Sequence, residues 1–274
     1  MRRLRLVADD YGIAPGVSAA IRDLAAAGRL SATSAMIVTP DFPAEATRLR
    51  AVVRPRAFGS GLHVTLTGRF RPASKGFSPR TGAGTFPSLP TLMARAFFRQ
   101  LDRDRLRAEL SAQFAAFTAA FGRAPDHVDG HQHVQLLPII RDVLLDLMVE
   151  RCPTAWVRQC VRTGPRPSVL HDPKGALLDH LSRTFTVRAA ARGIAVNPAF
   201  AGTYSYRPGA DFGAAFPHFL EGLADQGVVM CHPGHVDDTL RARDPLTTHR
   251  EVEFAFLAGD GLPAALAAAA VELA

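Results

Sequence analysis

Leu4-Arg5-Leu6-Val7-Ala8-Asp9-Asp10-Tyr11-Gly12 opens the chain with an apolar run that stops on two carboxylates and a glycine. A buried strand that ends this way delivers polar side chains to its C-terminal edge, where α/β proteins assemble their sites. Neighbours on an extended strand face opposite ways, so Asp9 and Asp10 are expected to take different jobs. One can bind an ion while the other, held back, moves a proton. A plainer role also fits: Asp10 could cap the helix expected from Pro15.

Other segments end in the same manner. In His127-Val128-Asp129-Gly130-His131-Gln132-His133, three imidazoles and a carboxylate fall within seven residues, although the whole chain has only 10 His. If the strand continues through the run, His127, Asp129, His131 and His133 share one face. Imidazole and carboxylate are ligands for a divalent cation. Asp129 is then placed to orient an imidazole, and His127 and His133 either line the substrate site or satisfy local hydrogen bonds. Gly59-Ser60-Gly61-Leu62-His63-Val64 puts a histidine in a β-like run behind two glycines, the mark of a close backbone or ligand approach. Gly227-Val228-Val229-Met230-Cys231-His232-Pro233-Gly234 is a late strand stopped by a Pro-Gly turn. Cys231 and His232 are adjacent and would face opposite ways, so Cys231 reads as a small buried residue and not as a thiol nucleophile.

Strand-like runs at 3–8, 33–38, 57–64, 126–131, 154–158, 194–197 and 227–232 alternate with helical pattern at 15–27, 42–50, 91–121, 138–150, 174–192, 211–224 and 247–258. Such alternation argues a parallel sheet with crossover helices. Residues 1–274 carry no internal repeat or boundary and read as one domain. Arg158, ending the fifth strand, could orient Asp9 by a charged hydrogen bond. The stretches 67–90 and 163–173 lack periodicity, and the first, directly after His63, reads as a substrate-covering flap. The Ala-rich tail from Leu262 to Ala274 suits a packed terminal helix.

The quoted segments, with Thr33-Ser34-Ala35-Met36 between them, together resemble the YdjC/ChbG carbohydrate deacetylases in order and spacing over nearly the whole chain. Asn197-Pro198-Ala199-Phe200-Ala201-Gly202 is most similar to the hopanoid-biosynthesis-associated branch, HpnK. The resemblance implies a distorted, incomplete (β/α) barrel similar to that of the polysaccharide deacetylases. It implies one divalent metal on Asp10, His63 and His131, with Asp9 as general base and His232 acting near the leaving amine. Gln135 stands where many members carry a further histidine. Two imidazoles and a carboxylate suit Zn²⁺, while Mg²⁺, Mn²⁺ or Ni²⁺ can occupy the same ligands. The implied substrate is an N-acetylglucosaminyl lipid of the hopanoid type; a soluble chitooligosaccharide is the alternative.

A metal phosphoesterase could use the same ligands, but it would want a second metal and a basic phosphate clamp. A non-catalytic carbohydrate or lipid binder would leave the Asp9-Asp10 pair unexplained. Net charge is +7, yet only Lys75 and Lys174 are lysines, and no basic-aromatic stripe of the nucleic-acid-binding kind occurs. Cys152, Cys160 and Cys231 form no CxxC pair and read as reduced, which points to the cytoplasm. No signal segment or membrane span is expected. Peripheral contact at the inner membrane face is compatible with Leu92, Phe97, Phe98 and Leu101 set among Arg95, Arg99 and Arg103. A homodimer is compatible too.

Overall fold

The computed structural model describes all residues except 54–57, 164–169, 171 and 208. β1 (Arg2–Tyr11) is central to a parallel sheet. On one side follow β2 (Ala32–Ala35), β3 (Gly59–Val64), β4 (His127–Gly130) and β5 (Trp156–Val157). On the other lie β7 (Gly227–Cys231) and then β6 (Phe200–Ala201). Leu4, Leu6, Val7 and Ala8 are all buried, because helices cover the outer face of the sheet. Single bridges, Val157 to Val196 and Arg162 to Phe200, link the two outer edges. The sheet is therefore an incomplete (β/α) barrel with one weak seam.

The outer elements are α1 (Pro15–Ala26), α2 (Phe42–Val52), α3 (Leu89–Phe97), α4 (Arg103–Phe121), α5 (Ile140–Arg151), α6 (Pro173–Ala190) and α7 (Phe212–Leu220). After β7 come α8 (Asp238–Arg243), α9 (Thr248–Ala258) and α10 (Gly261–Ala268). The tail then adds β8 (Val271–Leu273), which pairs parallel with the start of β1, so the expected terminal helix stops early. Among the described residues, no helix is long and apolar enough to cross a membrane.

Two further expectations change. The helix expected over 91–121 is two helices, because Arg99 takes a left-handed φ of 57° and Asp102 caps a new start by accepting from the Asp104 and Arg105 amides. The strand expected at 194–197 is only a bridge at Val196, and β6 begins at Phe200. Pro198 has no amide hydrogen to offer a ladder. Asn197 replaces it with its side chain, whose Oδ1 accepts from Gln159 N (2.8 Å) while Nδ2 donates to the Gln159 carbonyl (3.1 Å). Of the second expected loop, 163–173, residues 164–169 and 171 lie outside the described residues.

The stretch 67–90, expected as a flap, is tied down, and its last two residues open α3. Phe70, Phe77 and Phe86 are buried, and Glu109 on α4 accepts from the Ala73 and Ser74 amides. Phe86 N donates to the Phe70 carbonyl at 2.8 Å, joining the two ends of the loop. The Phe70 ring meets His131 edge-on at 6.4 Å, so the loop covers one flank of that histidine.

Candidate active site

The first determinant is a bulge. Ala8 pairs with Thr33 but Tyr11 pairs with Ala35, so two residues of β1, Asp9 and Asp10, oppose the single residue Ser34. Asp10 takes a φ of 68° to allow it. Strict alternation would send the two carboxylates to opposite faces; the bulge turns both into one pocket of about 570 Å3. Asp10 makes no helix cap: the first turn of α1 starts from Ala14 without a side-chain cap bond.

The second determinant is the end of β4. The strand stops at Gly130, and His131–Leu136 form a 3-10 turn in which Gln132 and His133 have φ of 54° and 58°. The expected common face for four residues therefore holds only for His127 and Asp129. His131 swings to Asp10, its Nδ1 lying 2.9 Å from Oδ1. His133 goes the other way, its ring edge-on to Phe200 and its Nδ1 3.5 Å from Cys160 Sγ. His127 sits away from the pocket, its ring stacked on Trp156 at 4.6 Å and 14°. A Cβ on Gly61 would fall 2.1 Å from His127 Nε2. The close approach read from the glycines is thus made by this imidazole.

Hydrogen-bond polarity orients the rest. His63 Nδ1 meets Asp129 Oδ1 at 2.6 Å, which leaves Nε2 facing Asp10 Oδ1 at 3.3 Å. Asp129 Oδ2 accepts from Ser34 Oγ and from Arg158 Nη2, both at 2.6 Å. Ser34 spends its one proton on Asp129, so His127 Nε2, 2.9 Å away, is the donor to Ser34 Oγ. Arg158 is buried and grips Asp9 with two bonds, Nη1 to Oδ2 at 2.6 Å and Nη2 to Oδ1 at 2.7 Å. Arg250 on α9 is buried as well, and its Nη2 donates to Asp10 Oδ2 at 2.6 Å. That bond occupies one carboxylate oxygen of Asp10 and leaves Oδ1 to the two imidazoles.

The charges follow from this wiring. Burial alone would raise the Asp10 pKa, but Arg250 and His131 hold it well below the usual carboxylate range. Burial would likewise raise Asp129, and Arg158 and His63 outweigh it, so Asp129 stays ionised. Burial opposes charge on His63, yet Asp129 and Asp10 push its pKa up to about 10. Asp9, Asp10 and Asp129 outnumber the guanidiniums of Arg158 and Arg250 that pair with them, and Asp244 lines the same pocket, so carboxylate is in excess where His63 and His131 face Asp10. Asp10, His63 and His131 can each present one ligand atom with all three atoms within 4.8 Å of one another. An Asp-His-His donor set, an excess negative charge and a carboxylate oxygen already turned toward both imidazoles fit a divalent ion.

His232 lies in the same pocket but does not titrate near neutrality as its residue type suggests. Burial, and next Arg250, push it down to about 4 against the pull of Asp10 and Asp9, so the ring is neutral at pH 7. Its backbone amide donates to buried Glu253, and its Nδ1 is 3.4 Å from the Tyr206 hydroxyl. Tyr206, Asp244, Glu253 and Arg250 carry no signal in the sequence, and Ser34 is marked only as part of the segment Thr33-Ser34-Ala35-Met36. Arg250 sits 240 residues from Asp10 in an ordinary polar helix, where no local pattern marks it.

A profile of the YdjC-like protein family matches residues 3–268. The chain is 32% identical over 251 residues to a chitooligosaccharide deacetylase of Yersinia pestis bv. Antiqua (strain Angola), with 88% of this chain and 85% of that protein covered. A chitooligosaccharide deacetylase of Yersinia pseudotuberculosis serotype O:3 (strain YPIII) is 31% identical over the same shares. The crystal structure of a candidate cellobiose-phosphate cleavage protein from Enterococcus faecalis V583 shares the fold. Its TM-score is 0.75 at 20% identity, over 100% of this chain and 97% of that one. A family 4 carbohydrate esterase from Streptomyces lividans overlays more loosely, with a TM-score of 0.44 and 11% identity over 99% of this chain and 91% of that one. The profile match runs through every strand that supplies the pocket, and the chain belongs to the YdjC-like family.

Proposed function

We propose that this chain is a carbohydrate deacetylase of the chitooligosaccharide deacetylase type, a hydrolase that removes acetate from an N-acetylglucosamine unit. The observation that carries the reading is the bulge, which brings the Arg158-bound Asp9 beside an Asp10 that shares its oxygen with two imidazoles. A pocket for phosphate would need free basic groups, whereas both buried arginines here are engaged with carboxylates. The relatives named as chitooligosaccharide deacetylases support the same reaction class.

Asp10, His63 and His131 are the residues that would hold one divalent ion, Zn²⁺ by donor type, with Mg²⁺, Mn²⁺ or Ni²⁺ as substitutes. When bound, the ion supplies Lewis-acid polarisation of the amide carbonyl and eases deprotonation of water. Asp9 takes the proton of the attacking water, with Arg158 fixing the direction of its carboxylate. The departing nitrogen needs one proton, since an amine leaves badly without it. Neutral His232 can receive the proton that Asp9 collects and deliver it, so a resting imidazolium is not required. Asp129, between His63 and Arg158, positions both without touching substrate.

The finer substrate reading is an N-acetylglucosaminyl lipid of the hopanoid type, met at a membrane surface. Exposed Phe97 and Phe98 at the end of α3, beside Arg95, Arg99 and Arg103, support contact with anionic lipid. The relatives' name favours a soluble chitooligosaccharide instead. Acetate release from N-acetylglucosaminyl hopanoid and from N,N′-diacetylchitobiose, each with and without chelator, tests all three layers. Release abolished by chelator and restored by metal is expected, with the lipid preferred. Preference for chitobiose without binding to anionic vesicles would remove the lipid reading, and no acetate from either would remove the deacetylase.

A further inference from the structure

A second cavity of about 920 Å3 adjoins the catalytic pocket and shares with it the walls formed by Gln132, His133 and Thr203. One face of it is aliphatic: Met93 from α3, Leu136 and Leu137 after β4, and Leu177, Leu178 and Leu181 from α6. The volume lies toward the upper end of the range for small-molecule sites. Two of the three shared wall residues are held at left-handed φ, Gln132 at 54° and His133 at 58°. Non-glycine residues persist in that conformation where the surroundings enforce it, most often at functional sites.

Polar groups, among them Arg162, Lys174 and Tyr204, stand at the edges of the cavity, and two of these three are engaged elsewhere. Arg162 is paired with Asp172 and Asp179, and the Tyr204 hydroxyl donates to Glu253 at 2.8 Å. The Tyr204 ring packs against Tyr206 at 4.5 Å. A second sugar ring would bring several hydroxyls against leucines and leave them without partners, which is costly. An apolar group loses nothing there and removes exposed aliphatic surface from water.

We propose that this chamber receives an apolar aglycone, carried by the N-acetyl sugar whose acetamide reaches Asp9 and Asp10. The inference rests on the deacetylase reading for the sugar, and on the leucine-lined cavity for the aglycone. Gln132 and His133 then form the threshold between the polar and apolar parts of one substrate.

The test compares kcat/KM for acetate release from methyl and octyl N-acetylglucosaminides, below the micellar concentration of the latter. Measurements use the metal-loaded full chain and its Met93→Trp and Leu177→Glu variants. The wild type should favour the octyl glycoside by about tenfold or more, in line with the discrimination methylenes bring in apolar pockets. Filling the chamber with Met93→Trp, or charging it with Leu177→Glu, should move that ratio toward one. A wild-type ratio near one, or variants that slow both substrates equally, would overturn the proposal. If neither glycoside yields acetate, the deacetylase reading fails by itself. The chamber is then judged by calorimetric titration with octyl β-glucoside, where tenfold weaker binding by Met93→Trp upholds it and equal or absent binding overturns it.

Discussion

Along β1 to β4, four consecutive parallel strands end in carboxylate, hydroxyl or imidazole side chains, and two buried arginines hold the carboxylates. Across the β5–β6 seam the ladder thins to single bridges, an asparagine side chain does the work of a strand, and a leucine-lined cavity opens alongside. Charged chemistry needs groups fixed before substrate arrives, because preorganised dipoles and charges lose no energy to reorganisation during reaction. Substrate accommodation needs room, which a fully hydrogen-bonded stave would not leave. The two sides of one barrel mouth divide these demands.

Substitutions on the two sides should therefore fail differently. Asp9→Asn keeps the shape of the pocket and removes a base, so turnover should fall by about 10²–10⁴-fold in acetate-release assays. Wild-type turnover in that variant would mean Asp9 moves no proton. Arg158→Met strands Asp9 and Asp129 as buried charges and should destabilise the fold by about 3–5 kcal/mol in denaturant titration. On the seam, Asn197→Ala loses bonds to Gln159 and Ala199 and should cost about 1–3 kcal/mol, with the rate on a small glycoside little changed. A large rate loss there would erase the contrast between the two sides.

The smallest effect concerns pH. Burial pushes the carboxyl of Glu253 up from its ordinary value of 4.5 to about 7. The folded chain therefore holds this proton more tightly than the unfolded chain, and stability from it is complete below about 4.5 and lost as pH rises through about 7. Glu253→Gln removes the titration, so its Tm relative to wild type should rise between those two pH values. A flat difference would show that Glu253 does not titrate in that window.

The residues meeting at the mouth could be read from sequence as strand endings, because an apolar run that stops at a polar group is a local signal. Asp10, His63 and His131, each at such an ending, present ligand atoms within 4.8 Å of one another, and Arg158 meets Asp9. What escaped was set by long-range geometry. The bulge at Asp10 depends on how β1 meets β2, and alternation within β1 cannot show it. Arg250 becomes a partner only once α9 packs over the mouth. The break at Arg99 was obscured by continuous helical pattern, although Asp102 is an ordinary cap residue in plain view. His127 and His131, four residues apart, have opposite fates because the chain changes conformation between them.

Elemental analysis paired with turnover, on wild type, Asp9→Asn and His131→Ala, addresses the division between metal-holding and proton-moving residues most directly. One equivalent of divalent metal is expected in wild type and Asp9→Asn, with turnover only in the former, and neither metal nor turnover in His131→Ala. Full metal loading in His131→Ala, or metal lost with turnover in Asp9→Asn, would contradict the assignment.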